Sequence, residues 1–278
     1  MSYKIIVDSG CDLPKNLREN EHFVVVPLTL SVGGADIVDD ESFDQKDFLK
    51  RVHEAKECPK SACPSPERYL SEYESIEGNV YVITISGRLS GSYNSALVAA
   101  DMYEEDGGSS HVHVFDSMSA CCGEAVIAMK IMECEEQGMS FDEVVKTVTR
   151  FRDGMKTYFV LETLETLRKN GRLTNIQALL ANVLSIKPVM SAKEGEIIKL
   201  EQTRGLNKAL KRMCEIILEN VTDPQDKVLG ISHCNCPERA EYVKGLLLEK
   251  CSFKDVVIVD TAGVATMYAN DGGIVVAV

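Results

Sequence analysis

Short runs of apolar and β-branched residues alternate along the first half of the chain with stretches whose apolar positions recur every three to four residues. The first pattern predicts strands and the second predicts helices. Strands are expected over residues 4–7, 80–85 and 112–115. Helices are expected from Pro14 to about residue 19, over 44–55, over 66–73 behind Ser65-Pro66, and over 93–102, 122–136 and 141–153. Residues 23–30 are β-rich, Gly33-Gly34 forms a turn, and 35–38 reads as a return strand. Residues 58–66 hold three prolines and must be extended before each of them. Strands alternating with helices imply a parallel, doubly wound sheet.

The rhythm changes near residue 154. A strand over 157–161 is followed by a helix over 161–168 that Asn170-Gly171 ends, then by a helix over 176–184. Residues 186–190 and 196–200 form a hairpin with Gly195 in its turn. A long helix over 206–218, a strand over 228–232, a helix over 237–251 and strands over 256–259 and 273–278 complete the chain. The expected fold class is therefore α/β in two domains. The first, 1–153, is a three-layer domain with a mainly parallel sheet, and the second, 154–278, carries a mixed sheet covered by helices. No flexible linker separates them, so they should share a substantial interface, a frequent place for ligands.

Three polar loops follow strands directly, at Asp8-Ser9, at 86–92 and at Asp116-Ser117. In an open parallel sheet such loops gather on one edge, where ligands bind. The longest is Thr84-Ile-Ser-Gly-Arg-Leu-Ser-Gly-Ser-Tyr-Asn-Ser-Ala96, with Ser90 at the expected N-cap and Gly91 and Ser92 beside it. A helix start offers unpaired N–H groups and suits a carboxylate or phosphate. The same loop is also compatible with a capped helix and no ligand.

Composition narrows the ligand. The 278 residues are 45% apolar and 26% charged, the balance of a soluble globular protein. A net charge of −13, from 43 acidic and 30 basic residues, opposes nucleic acid and anionic membranes. An anion must then be held by local donors. The first apolar run stops at Asp8, too short for a signal segment, and no run approaches a membrane span, so a cytoplasmic protein without stable membrane insertion is expected. The ten cysteines then read as reduced thiols, with no Cys-x-x-Cys pair or zinc-type spacing and hence no metal site.

Catalytic signatures are absent. None of the five histidines lies in a triad context, and Gly-x-Ser-x-Gly, the P-loop and Gly-x-Gly-x-x-Gly are missing. Asp8-Ser-Gly10 lacks the second aspartate of aspartyl phosphotransferases. Hydroxyls and backbone donors without a proton-transfer group favour binding over turnover and imply no cofactor. The alternative is a phosphotransferase-like enzyme or hydrolase acting on an acyl or phosphate ester through Asp8 and Asp116.

Several motifs, taken in order, point further. They are Ile6-Val-Asp-Ser9 with Asp12-Leu-Pro14, Ser61-Ala-Cys-Pro-Ser-Pro66, the 84–96 loop, Val114-Phe-Asp-Ser117, Leu167-Arg-Lys-Asn-Gly-Arg-Leu173, Ile186-Lys-Pro188 and Arg204. Through them, over nearly its whole length, the chain resembles the DegV family, which includes the fatty-acid-binding (FakB) subunits of bacterial fatty acid kinase. The resemblance implies a two-domain, non-catalytic lipid-binding protein that buries one long-chain fatty acid between its domains. It presents the acid to a separate kinase for phospholipid synthesis. The carboxylate would be held by Ser61, where the family usually has threonine, and by Ser90. Head-group neighbours would be Asp8, Ser9, Gly91, Ser92, Arg172, Arg204 and Thr266, although Arg172 and Arg204 could equally be surface ion-pair partners. The family commonly carries His-Thr-Gly-x-Gly before its last strand. Here the segment reads Val264-Ala-Thr-Met-Tyr-Ala-Asn-Asp-Gly-Gly273, with Thr266 or Met267 in the histidine's place.

Overall fold

The computed structural model describes residues 2–75, 77–173 and 186–278; the helix expected over 176–184 lies outside them. In chain order the first half forms β1 (Tyr3–Asp8), α1 (Lys15–Arg18), β2 (Phe23–Val26), β3 (Thr29–Val32), β4 (Ala35–Val38), α2 (Gln45–Glu54), β5 (Lys60–Ala62), α3 (Pro66–Tyr73), β6 (Asn79–Thr84), α4 (Ser92–Glu105), β7 (His111–Asp116), α5 (Cys122–Glu136) and α6 (Phe141–Gly154). The second half forms β8 (Thr157–Val160), α7 (Glu165–Lys169), β9 (Ile186–Lys193), β10 (Glu196–Arg204), α8 (Leu206–Asn220), β11 (Val228–His233), α9 (Pro237–Leu248), β12 (Asp255–Asp260), α10 (Gly263–Ala269) and β13 (Ile274–Ala277).

The first sheet has four parallel strands in the order β2-β1-β6-β7. Its side chains divide with the period of two that a pleated strand imposes. Ile5, Val7, Tyr81 and Ile83 face α5 and α6, whereas Ile6, Val80 and Val82 face α3 and α4. The second sheet is mixed, in the order β10-β9-β8-β13-β11-β12, with only β11 and β12 parallel. Tyr158, Val160, Ile274 and Val276 pack on its α8/α9 side, and Phe159 and Val275 point the other way. Both sheets of the expected α/β fold are therefore present, parallel in the first half and mixed in the second.

Helix α5 joins them. It contacts β1 and β6 of the first sheet and β11 and β13 of the second. Its first half, Cys122 to Ala128, is buried all round, so the apolar positions there follow no single stripe, and the exposed charges are confined to its second half. At Gly230 of β11 an added Cβ would lie 2.9 Å from Val126 of this helix, the distance scale of direct helix-on-strand contact.

Four details differ from the sequence-based expectation. The β-rich run 23–30 is two strands of two different sheets, because Pro27 removes a ladder donor between them. β3 pairs with β4 and with β5 in a separate three-stranded antiparallel sheet, so the proline-rich loop contributes a strand at Lys60–Ala62. The N-cap of α4 is Gly91, one residue past Ser90. Helix α10 was not expected at all.

Candidate functional site

The loops leaving β1, β6 and β7 do gather on one edge, and side chains knit them together. The Asp8 carboxylate accepts hydrogen bonds from the backbone N–H of Gly10 at 2.9 Å and of Ile85 at 3.0 Å, tying the first loop to the second. Ser86 N–H donates to Ser119 O at 2.9 Å, tying the second to the third. Ser86 Oγ reaches across to the second sheet and donates to Gly195 O at 2.9 Å, in the β9–β10 turn. Gly195 has φ +79°, and a Cβ there would sit 2.4 Å from Ser86 Oγ, so glycine is what lets the hairpin close on this loop.

Between that edge and the front face of the second sheet lies a cavity. Its volume is about 120 Å³, and it opens to the outside through a mouth. Ile85, Leu89 and Ala120 come from the loop edge, Phe159, Ile197 and Val275 from the second sheet, and Val264, Ala265 and Ala269 from α10. A concave, mostly apolar space with a few convergent polar groups is the form of a small-molecule site.

The polar groups converge at one corner. Ser61 of β5 and Tyr268 of α10 share a hydrogen bond of 3.2 Å between hydroxyls. The Arg172 guanidinium lies 5.7 Å from the centre of the Tyr268 ring. Its Nε donates to Leu89 O at 3.1 Å and its Nη1 to Asn170 O at 2.5 Å. Ser90 follows Leu89 directly, accepts from Ser92 N–H at 3.2 Å, and shares a 3.0 Å contact between hydroxyls with Ser92. Ser61, Ser90, Arg172 and Tyr268 all line the cavity and all are half-buried. A second hydroxyl pair in the wall, Ser119 and Thr157, is buried and bonded to itself at 2.6 Å, so it offers a ligand less.

The remaining expected residues fall elsewhere. Gly91 is exposed, and Ser92 is buried one step behind Ser90. Asp8 is fully buried behind the wall, Ser9 Oγ accepts from Leu28 N–H, and neither lines the cavity. Thr266 is fully buried against Thr261, with hydroxyls 2.7 Å apart. Arg204 is exposed at the far end of β10. Tyr268, by contrast, carried no sequence signal that was used. The available one was its spacing, since Ala265, Tyr268 and Ala269 fall at i, i+3 and i+4 on one helix face.

Behind the cavity wall lies a second polar assembly, of carboxylates. Asp39 accepts from Gly263 and Val264 N–H, both at 2.7 Å, and Asp12 accepts from Ala262 N–H at 2.8 Å, so together they hold the start of α10. A Cβ at Gly263 would lie 2.4 Å from Asp39 Oδ1, so the clamp needs glycine there. Burial raises Asp8 to about 6 against the bonds from Ile85 and Gly10, and raises Asp12 to about 7. Glu124 of α5 is fully buried, and neither of its carboxylate oxygens has a hydrogen-bond partner. Burial first, and then the charges of Asp8 and Asp12, hold its pKa well above the usual range and favour its neutral form. Asp8 is close enough to influence it without meeting hydrogen-bond geometry.

Among the described residues no group of three His, Cys, Asp or Glu is arranged to hold a metal ion. No helix among them is long and apolar enough to cross a membrane. All ten cysteines are free.

Comparison with known proteins adds three findings. A family model described as an uncharacterised protein of the DegV family matches residues 2–278. A DegV domain-containing protein of Streptococcus pneumoniae is 34% identical over 99% of this chain and 98% of its own length. Among solved structures, a DegV family protein from Ruminococcus gnavus with vaccenic acid superposes with a TM-score of 0.97 at 45% identity, covering 99% of each chain. The S. pneumoniae fatty acid kinase B3 protein loaded with linoleic acid superposes with a TM-score of 0.91 at 33% identity, over 100% of this chain and 99% of that one.

Proposed function

The chain belongs to the DegV family, and from that premise we propose that it is a cytoplasmic, non-catalytic carrier of one long-chain fatty acid. The acyl chain occupies a tunnel between two α/β domains, 1–153 and 154–278, and Ser61 and Ser90 hold the carboxylate. The carrier presents the acid to a partner fatty acid kinase. One observation carries this reading: an apolar enclosure with its ligand-facing hydroxyls gathered at a single corner, in a chain whose structural relatives were solved with fatty acids bound.

The energetics agree. Each buried methylene contributes roughly 0.8 kcal/mol, so a chain of about sixteen carbons gains on the order of 10 kcal/mol before the entropic cost of association. The tail supplies affinity. The hydroxyls need only keep a buried carboxylate from going unpaired, which would cost several kcal/mol. An enzymatic reading through Asp8 and Asp116 draws no support from the geometry. Asp8 is enclosed, and Asp116 accepts from the N–H groups of Gly87 and Met118.

Organic extraction of the purified protein followed by mass spectrometry should recover a long-chain acid in about one-to-one ratio. Protein that carries none, and takes up none when offered oleic or palmitic acid, would sink the proposal. The kinase step is checked separately, by acyl phosphate formation on mixing the loaded protein with a fatty acid kinase subunit and ATP. No product there would remove the presentation half alone.

A further inference from the structure

We infer that Tyr268 is a direct head-group donor of this site, and that Arg172 acts on the head group through Tyr268 rather than by pairing with the carboxylate. The inference rests on the fatty-acid reading above and deepens it. Tyr268 sits on the face of α10 that meets the cavity, with Ala265 and Ala269 beside it leaving room around the ring. Its hydroxyl is already within hydrogen-bond distance of Ser61, so a ligand oxygen bound to Ser61 is brought close to both.

Proton counting supports a shared role. Ser61 and Tyr268 bring one hydroxyl proton each, and their mutual bond uses one. The second is left for a ligand, and an arriving carboxylate, with about four acceptor sites, can take both by replacing the mutual bond. Ser90 accepts from Ser92 N–H, which fixes its oxygen, and its proton is available to a ligand when the Ser92 hydroxyl is the donor in their mutual contact. Three neutral hydroxyls then converge where the resemblance alone supplied two.

Arg172 is placed differently. Two of its N–H groups are committed to the carbonyls of Leu89 and Asn170, and its charge lies over the Tyr268 ring. A cation over an aromatic face is attracted to it and holds the ring in place. The neighbouring positive charge also makes the phenol a stronger donor. Through the Leu89 carbonyl the same side chain fixes the residue before Ser90. Arg172 is thus a positioning residue that sets two donors, Tyr268 and Ser90, against one ligand oxygen pair.

The test uses delipidated full-length protein and compares oleic acid with methyl oleate. Tyr268→Phe keeps the ring and its contact with Arg172 and removes only the hydroxyl. It should weaken the acid about tenfold and the ester less than twofold, with an unchanged thermal midpoint in the empty protein. Arg172→Gln should weaken the acid several-fold in the wild-type background and clearly less in the Tyr268→Phe background, because one of the two donors it sets is already missing there. Unchanged acid binding by Tyr268→Phe, or equal loss for acid and ester, overturns the donor role. A full additive loss in the double variant overturns the positioning role. Failure of the wild-type protein to bind oleic acid at all would instead strike the fatty-acid reading itself.

Discussion

Two polar assemblies lie back to back at the same sheet edge, and they differ in kind. At the cavity corner, Ser61, Ser90 and Tyr268 are neutral, half-exposed and able to turn their protons toward a ligand. Behind the wall, Asp8, Asp12, Asp39 and Glu124 are buried, and no salt bridge among the described residues includes them. The first group keeps hydrogen-bonding capacity in reserve. In the second, Asp8, Asp12 and Asp39 accept from backbone N–H groups and fasten the loops and the start of α10, while Glu124 bonds nothing. An anion suits only the first, since the second would repel it. The lesson is that a strand-end aspartate is no guide to a ligand unless its carboxylate faces open space.

The comparison breaks if either assembly does the other's work. The largest effect should follow from Asp39→Ala, which strips two buried N–H groups of their acceptor. A loss of about 3 kcal/mol or more in urea-denaturation stability is expected. A variant as stable as wild type would show that the clamp on α10 is dispensable.

Next comes Asp12→Asn, which keeps an acceptor for Ala262 N–H and removes the titration. An acid raised from 3.8 to about 7 in the folded state binds its proton more tightly there than in the unfolded chain. Its contribution to stability is therefore largest at low pH and declines as pH rises from about 4 to about 7. Measured at pH 5 and pH 8, the variant should gain on wild type at the higher pH, by roughly 2–3 kcal/mol. An unchanged difference between the two pH values would place the charge elsewhere.

Ser61→Ala and Ser90→Ala should each weaken oleic acid by about tenfold and methyl oleate far less, leaving the stability of the empty protein within about 0.5 kcal/mol. Matching losses for both ligands would mean that the serines only shape the wall. The smallest effect belongs to Glu124→Gln. A glutamic acid whose burial favours the neutral form should exchange for its amide at little cost, within about 1 kcal/mol. A strongly destabilised variant would argue that Glu124 is ionised.

The sequence made the strand-loop-helix rhythm legible wherever burial was one-sided. Phe48 and its neighbours marked α2, and the β6-loop-α4 unit stood out from its Ser/Gly turn. It failed where structure depends on distant partners. Six of the seven residues of α10 are buried, which erases an amphipathic period. Its start is held by Asp12 and Asp39, more than 200 positions away in the chain. Tyr268 was hidden for the same reason. The division of 23–30 between two sheets was signalled by Pro27, whose missing donor is incompatible with one continuous central strand. Ser90 was marked by its strand-end loop and Ser61 and Arg172 by the resemblance, whereas Ser9, Thr266 and Arg204 lie away from the cavity they were expected to serve.

The shared helix α5 has a consequence for traffic through the molecule. A clam-shell motion of the two sheets would have to peel one of them from a helix that is apolar on both sides, exposing Ile127 or Val126 to water. Under the proposed function, exchange of the acid would then be a local affair at the cavity mouth, with the two sheets staying joined. Loading rates should accordingly follow mutations around the mouth and ignore moderate changes in global stability.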